Sequence, residues 1–176
     1  TRLYFIKEKA RFLSAEAGAR NDDFEGARKQ AASGLADFPN GFYAPDFLFT
    51  AGLAVLQLDR DEEAVGPLGE LLDRYPDHAN APYGRYYLAY AHFNQTHFSK
   101  ALVAFRQLIK HPDLEIFPDA HFRATECLFN LGEFVEAERG YREFARLFPD
   151  EPLAEDALYN IVWCRMNAAA GSVEED

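Results

Sequence analysis

The sequence predicts an all-α protein built from about four stacked helix hairpins and a final unpaired helix. A short pattern returns four times in steps of 37, 37 and 36 residues, anchored by Ala27, Ala64, Ala101 and Ala137. The proline that ends each copy keeps almost the same steps, at Pro39, Pro76, Pro112 and Pro149. Between these landmarks the apolar residues follow helical spacing. A fixed period of about 20–50 residues is the signature of repeats that stack on one another.

The third copy shows the unit most clearly. Pro82 suits the first turn of a helix, where its missing N–H would have had no partner. One stripe of that helix is aromatic, at Tyr83, Tyr86, Tyr90 and Phe93. Thr96 is expected to cap a second helix, in which Phe98, Ala101 and Phe105 repeat the helical spacing before Pro112 ends it. One unit is therefore two antiparallel helices joined by a short turn.

The other copies repeat this plan. First helices are expected near 3–19, 45–58, 82–95, 118–131 and 155–168, and second helices near 24–36, 62–74, 98–110 and 134–147. Asp22 and Glu25 suggest a capping box before the second helix of copy one. Pro67 should delay or kink the second helix of copy two. We expect one domain over residues 1–170, with repeats at about 3–40, 41–77, 78–113 and 114–150, and a flexible tail at 171–176.

The pattern resembles the tetratricopeptide repeat. Leu88-Ala89, Phe98, Ala101 and Phe105 match that motif in copy three, and Gly132, Phe134, Ala137, Tyr141 and Pro149 match it in copy four. The resemblance covers nearly the whole chain and implies a right-handed α-solenoid. The motif residues are packing residues, so the resemblance indicates the fold more strongly than the ligand.

The repeat period of this chain is two or three residues longer than the typical family period of about 34 residues, and the extra residues lie in the linkers between repeats. Pro76-Asp77-His78-Ala79-Asn80-Ala81-Pro82 is similar to linkers of bacterial cell-envelope members of the family. Those members include the outer-membrane-protein assembly lipoprotein and the accessory protein of the Tol-Pal system. This similarity favours the periplasm or the cell envelope, with the cytoplasm as the alternative.

The resemblance also implies that the first helices line the concave face of the solenoid. Aromatic and amide side chains at equivalent positions there could hold an extended peptide, because rings bury apolar surface and amides pair with its backbone. The candidate partner-binding residues are Phe49, Tyr83, Tyr86, Tyr90, Phe93, Asn94, Phe122, Phe129, Asn130, Tyr159 and Trp163. The alternative is that the aromatics are core residues and that Asn94, Asn130 and Asn167 serve helix ends, and the sequence leaves both open.

Charge restricts the partner. The formal net charge of −11 disfavours nucleic acid, which needs a clustered basic surface. The expected binding face carries Glu16, Asp46, Asp119, Glu126 and Asp156, and its basic residues Lys9 and Arg20 both lie in copy one. The clamp for a C-terminal carboxylate that some members use is therefore disfavoured. A basic or neutral protein segment fits better.

No catalytic or metal-binding pattern stands out. Cys127 and Cys164 are one repeat apart in the small, buried slot that Ala17 and Ala54 fill in other copies. Equivalent points of stacked helices lie about 10 Å apart, so we expect two unbonded core thiols. The five histidines lack metal-ligand spacing, and no phosphate loop or nucleophile elbow is present. We expect neither a metal nor a cofactor, and no enzyme activity.

Two functions follow from these observations. The leading hypothesis is a non-catalytic scaffold that binds a peptide or protein segment in an aromatic-lined groove. The alternative is a structural or self-associating segment of a longer solenoid in a bacterial envelope complex, with self-association through the end helices.

The start at Thr1, without a methionine, suggests an excerpt or a processed product. The sequence contains no uninterrupted apolar run that approaches the roughly 18 residues expected of a membrane span.

Overall fold

The computed structural model describes residues 2–171, and all the regular elements within them are helices. The chain divides into two compact units, Thr1–Gln95 and Thr96–Asp176. The first unit contains α1 (Arg2–Arg20), α2 (Phe24–Asp37), α3 (Ala44–Leu56), α4 (Asp61–Arg74) and α5 (Ala81–Asn94). The second contains α6 (Phe98–Leu108), α7 (Phe117–Asn130), α8 (Phe134–Leu147) and α9 (Ala154–Gly171). The all-α prediction is confirmed, whereas the single domain over residues 1–170 stays a prediction.

Within each unit, every helix packs against the next helix in the sequence. In the first unit α1 also contacts α3, and α3 contacts α5, so the first helices of successive repeats touch as well. The four alanines that set the period are completely buried, at 0% exposure (Ala27, Ala64, Ala101 and Ala137). A side chain as small as a methyl group lets the helix backbones approach closely, which explains why alanine recurs at this position in every copy.

Four residues, one in each turn between a first and a second helix, adopt a left-handed backbone. Their φ angles are 60° at Asp22, 56° at Asp59, 59° at Thr96 and 81° at Gly132. Because the left-handed residues lie in the turns, two capping predictions are wrong. Asp23, not Asp22, caps α2, because its side chain accepts a hydrogen bond from the Gly26 N–H at 2.9 Å. The N-cap of α6 is His97, and Thr96 forms the turn before it.

The linker after each second helix is built from two successive tight turns. In the first linker, the Gly41 N–H donates to the Phe38 carbonyl and the Ala44 N–H donates to the Gly41 carbonyl. The same pair of bonds recurs 37 residues later, from His78 to Tyr75 and from Ala81 to His78. The linkers before α7 and α9 repeat it again. The extra residues of the long period are therefore an ordered part of each repeat.

Several helix bounds differ from expectation, and α3 ends at Leu56, two residues early. Helix α4 begins at Asp61 and includes Pro67, so the expected late start is wrong. Helix α6 ends at Leu108, two residues early. Helix α9 continues to Gly171, the first residue of the expected tail, and the rest of that tail, 172–176, lies outside the described residues.

The buried carboxylate of Glu8 was not anticipated from the sequence. Glu8 is only 2% exposed on α1, and its Oε1 accepts a hydrogen bond from the Tyr43 N–H at 2.6 Å. Tyr43 is the N-cap of α3, so this carboxylate satisfies a backbone donor at the helix start and complements the helix dipole. Gly41 lies directly beneath it, since a Cβ there would be 2.1 Å from the Glu8 Oε1 atom.

Candidate partner-binding site

In the first unit, α5 carries the predicted aromatic stripe. Pro82 lies in its first turn, as expected. Tyr86 and Tyr90, one turn apart, stack with ring centroids 6.4 Å apart and an interplanar angle of 20°. Both rings are partly buried, as are Tyr83 and Phe93 on the same stripe. The aromatic rings of the stripe are therefore packed against the rest of the first unit, and only part of their area is exposed.

Phe49 belongs to the packing of α3 against its neighbours. It is partly buried against the core cluster of Val55, Ala64, Leu68 and Ala91. Its ring lies 6.1 Å from that of Tyr87, a residue absent from the predicted set. Burial raises the pKa of Tyr87, and nearby Tyr83 adds to the effect. The spacing that predicted a groove position for Phe49 fits a core position equally well.

A polar cluster surrounds Asp46 in the first turn of α3. The Asn80 side chain donates to its Oδ1 at 3.0 Å, and His78 Nε2 lies 4.0 Å from its Oδ2. The Asn80 backbone N–H lies 3.2 Å from His78 Nδ1, which it can reach as a donor. Burial raises the pKa of Asp46, and the nearby His78 opposes that shift. The cluster fixes the linker before α5.

The three predicted asparagines differ in role. The Asn130 amide donates to the Glu126 carbonyl at 2.8 Å, and the Asn167 amide donates to the Trp163 carbonyl at 2.8 Å. Both bonds run back one turn, so these two side chains serve their own helix, as the alternative interpretation held. The Asn94 amide instead donates to Asp61 Oδ1 at 2.9 Å, which joins the end of α5 to the start of α4.

In the second unit, the predicted aromatics of α7 are largely packing residues. Phe122 is 2% exposed and lies in a core cluster with Tyr141, Phe144 and Cys164. Its place in the core rules out a role as an exposed anchor. Phe129 is partly buried and meets Phe134 edge to face at 5.4 Å.

Carboxylates on α7 and α9 form an acidic cluster around one arginine. Arg123 lies 2.5 Å from Glu126 and 3.7 Å from Asp119, both on its own helix. Burial raises the pKa of Glu126, Arg123 lowers it, and the negative charges of Asp119 and Asp156 raise it further. Arg123 therefore pairs with two carboxylates of its own helix, and Asp156 of α9 adds negative charge near Glu126. Arg123 was missed because nothing in its i, i+3 and i, i+4 spacing distinguishes it from an ordinary surface ion pair.

Helix α9 presents the most exposed aromatic side chains of the predicted set. Tyr159 is 63% exposed and Trp163 is 42% exposed, with ring centroids 6.3 Å apart. Asp156 precedes them on the same helix face, at i, i+3 and i+7. Because Asp156 also influences Glu126 on α7, the two aromatic rings lie on the side of α9 that borders the acidic cluster.

The two cysteines lie in the core of the second unit. Cys127 and Cys164 are unbonded and completely buried, as predicted. Burial raises the pKa of Cys127 to about 12 and that of Cys164 to about 11, so neither is a nucleophilic thiolate at neutral pH. The prediction that Ala17 fills an equivalent buried position is wrong, because Ala17 is exposed on α1, whereas Ala54 is buried on α3. Residues 2–171 contain no group of three or more histidine, cysteine or acidic side chains placed to hold a metal.

The family comparison supports the resemblance. The model of the tetratricopeptide repeat matches residues 83–113 and 119–151, the third and fourth copies of the pattern. These matches cover two of the four copies, and in those two copies the chain is similar to the tetratricopeptide repeat. Proteins of this class are protein-interaction scaffolds, whose stacked helix pairs expose extended binding surfaces. The cell-envelope sub-family has no such support.

Solved structures share the fold at low sequence identity. RapI in its apo form is 11% identical with a TM-score of 0.78, over 95% of this chain and 66% of its own. MamA from AMB-1 is 17% identical with a TM-score of 0.74, over 93% and 84%. The TPR-like repeats of a putative kinesin light chain from Podosopora anserina are 10% identical with a TM-score of 0.71, over 93% and 88%. No curated protein matches the sequence.

None of the helices within residues 2–171 combines the length and the apolar content needed to cross a membrane.

Proposed function

We propose that residues 1–170 form a non-catalytic scaffold domain that binds a basic or neutral protein segment. The observation that carries this proposal is the face of the second unit where Tyr159 and Trp163 are exposed beside a cluster of carboxylates. Aromatic rings at a protein surface are favourable anchors, because they bury a large area at a small cost in conformational entropy.

The charges specify the chemistry of the bound segment. Asp119 and Glu126, which pair with Arg123, and Asp156 of α9 bring carboxylates together on this face. A lysine or arginine of the partner would be attracted by these carboxylates and could also lie over the Trp163 ring. An acidic segment would be repelled by the same carboxylates. Charged contacts of this kind steer association and set specificity more than they add affinity.

The tyrosine stripe of α5 in the first unit is proposed as a second contact surface. Tyr83, Tyr86, Tyr90 and Phe93 are partly buried, so part of each side chain stays accessible to a partner's apolar side chains. Asn94 adds an amide at the end of the stripe, where it is exposed. Phe49 and Phe122 are left out of the proposal because they pack in the core.

Selection from a random peptide library displayed on phage tests the proposal. We expect enrichment of peptides that combine lysine or arginine with apolar residues, and weaker binding of those peptides as salt is raised. Replacing both exposed anchors, with Tyr159→Ser and Trp163→Ser, should reduce binding at least tenfold. Asp156→Lys should weaken basic peptides selectively.

Phe42→Ser is the matched control, since Phe42 is an aromatic residue that is 71% exposed on the first unit. It should leave peptide binding unchanged. Enrichment of acidic peptides, or equal loss of binding in the control and the anchor variants, would contradict the proposed face. Circular dichroism of each variant verifies that the helices persist.

We also propose that the chain associates with itself through its end helices. Large apolar residues are exposed on both, including Leu3 and Ile6 on α1 and Val162 and Met166 on α9, each more than half exposed. Exposed apolar patches of this kind mark interaction surfaces. Light scattering over a wide range of concentrations tests it, and a mass that stays at 20.0 kDa throughout would contradict it.

Membership of the bacterial cell-envelope sub-family is a further proposal, and it rests on the linker of residues 76–82 alone. Fractionation of the native cell with an antibody against this chain tests it. Recovery only with cytosolic proteins would contradict it.

A further inference from the structure

The first unit contains an apolar pocket between its two second helices. Helices α2 and α4 both pack on α3, and residues of all three helices line the pocket, which has a volume of about 390 Å³. Its apolar lining includes Ala31, Ala32, Leu35, Ala51, Val55 and Pro67. The three helices are inner elements of the first unit, with α1 before them and α5 after them. The pocket therefore does not depend on either end of the chain.

Small residues on the two walls open the pocket. Ala32 on α2 and Gly66 on α4 are both exposed, and a Cβ added at Gly66 would meet no atom within 4 Å. Two repeats later, the equivalent positions hold Arg106 and Arg139. Beneath the walls, Phe47 and Leu48 of α3 are 0% and 1% exposed. The pocket is therefore a recess with small walls over a closely packed floor.

Arginine side chains bridge α2 and α4 beyond both ends of the pocket. At the first end, Arg60 of the α4 N-cap lies 3.2 Å from Glu25 of α2. At the other end, Arg74 donates to the Asn40 side chain at 2.9 Å, in the linker after α2. Between these bridges, the lining of α4 extends over seven residues from Glu63, a rise of about 10 Å. The pocket has room for one large side chain and is too short for an extended segment to lie along it.

The charged residues at the rim already have partners within the first unit. They form the ion pairs Arg28–Glu25, Glu63–Arg60 and Glu70–Arg74. A charged group in the pocket would compete with these pairs, whereas an uncharged apolar group would leave them intact. Charge complementarity therefore favours an uncharged apolar occupant.

The open side of the pocket indicates where this apolar group comes from. Ala32 and Gly66 are exposed at the rim, so a free small molecule would keep one side in water. Small-molecule sites typically bury about 70–90% of their ligand. A side chain of a protein partner would be covered on that side by the partner's own backbone.

We propose that this pocket receives a single large apolar side chain of a protein partner, such as leucine, methionine or phenylalanine. Buried anchors of this kind carry a large part of the binding energy of an interface. The inference rests on the proposed scaffold function, to which it adds an anchor site on the first unit.

Peptide selection on a variant without the proposed anchors of the second unit tests the pocket. On the chain with Tyr159→Ser and Trp163→Ser, a random library displayed on phage should enrich peptides that share one large apolar residue and no common charge. Their binding should not weaken as salt is raised, because no ion pair is involved. Replacing the shared apolar residue with alanine should weaken binding by about tenfold or more.

Gly66→Leu and Gly69→Leu, each added to that chain, map the binding. Both glycines lie in α4 and a Cβ at either would meet no atom within 4 Å, but only Gly66 lines the pocket. Gly66→Leu should fill the pocket and weaken the selected peptides by about tenfold or more, whereas Gly69→Leu should leave their binding unchanged. Both variants should melt above their parent chain, because leucine favours a helix more than glycine does. Gly66→Leu should melt highest, because its side chain is also buried against apolar walls.

Three results would overturn the inference. Equal binding by the two leucine variants, or no enrichment at all, would show that the pocket takes no anchor. Enrichment of basic peptides whose binding weakens with salt would contradict the uncharged occupant. Free indole that binds as tightly as the selected peptides, and is excluded by Gly66→Leu, would identify a small-molecule site instead. Binding at Tyr159 and Trp163 is measured separately on the unaltered chain, so failure of the pocket leaves the proposed function standing.

Discussion

The left-handed turn at Gly132 gives a prediction whose sign depends on the backbone alone. Gly132 has a φ angle of 81°, and a Cβ added there would meet no atom within 4 Å. Gly69 is the matched comparison, because a Cβ there would also meet nothing within 4 Å, but this residue lies inside helix α4. Replacing each with alanine therefore changes the conformational energy of the chain and no side-chain packing.

The two substitutions should shift stability in opposite directions. A left-handed conformation costs an alanine about 1–2 kcal/mol, offset by about 0.4–1 kcal/mol from the restricted unfolded chain. Gly132→Ala should thus lower the free energy of unfolding by roughly 0–1.6 kcal/mol, with a central value of about 0.8 kcal/mol. Gly69→Ala should raise it by about 0.5–1 kcal/mol, because glycine in a helix costs about that much relative to alanine.

Thermal and urea unfolding followed by circular dichroism measure both effects. For a chain of this size, each kcal/mol moves the melting temperature by about 2–4 °C. The order of midpoints should be Gly69→Ala above the unaltered chain and Gly132→Ala below it. A Gly132→Ala variant that is more stable than the unaltered chain would refute the reasoning, because it would mean that the turn does not require glycine.

Three further predictions concern buried and paired groups. Glu8→Ala should lower the free energy of unfolding in urea by about 1–3 kcal/mol, because the Tyr43 N–H loses its acceptor. Glu8→Gln keeps an oxygen at this position and should lower it by less. Equal losses in the two variants would contradict this role of Glu8. The hydrogen bond from Arg28 lowers the pKa of Glu25 to about 2, so its ionised form stabilises the fold above the ordinary value of 4.5, and this contribution is lost as the pH falls toward 2. Glu25→Gln should therefore flatten the decline of the unfolding midpoint over that range, and an unchanged slope would argue against the pair. Cys127 should react with a thiol reagent at neutral pH only as the chain unfolds, since burial raises its pKa to about 12; rapid labelling of the folded chain would show that the core opens there.

The fold was predictable because the residues that recur with the repeat period are residues that must be buried. An alanine in the close approach of two helices cannot be enlarged without separating them, so the position recurs in every copy. The linker prolines mark helix ends by removing a backbone donor. The capping details were less accessible, since Asp22 and Asp23 are both suitable caps and the backbone of the turn decides between them.

The candidate site was only partly predictable. Phe122 and Tyr159 occupy equivalent positions of successive first helices, one period apart, yet the first is 2% and the second 63% exposed. The sequence gives both the same preference for burial. Helix α8 follows α7 and covers it, whereas no described helix follows α9. Exposure at this position therefore depends on the neighbour and not on the residue.

The sequence by itself determined the helix-pair repeat, its period, the small buried positions and the acidic character of the chain, because each of these depends on local spacing or on composition. Only the tertiary structure decided which aromatic residues are accessible, which carboxylates gather around Arg123 and which carboxylate caps α3. Those outcomes depend on contacts between side chains that lie one repeat or more apart, such as Glu8 and Tyr43. A periodic sequence repeats equivalent positions, and the neighbours that pack on each position decide which of them are exposed.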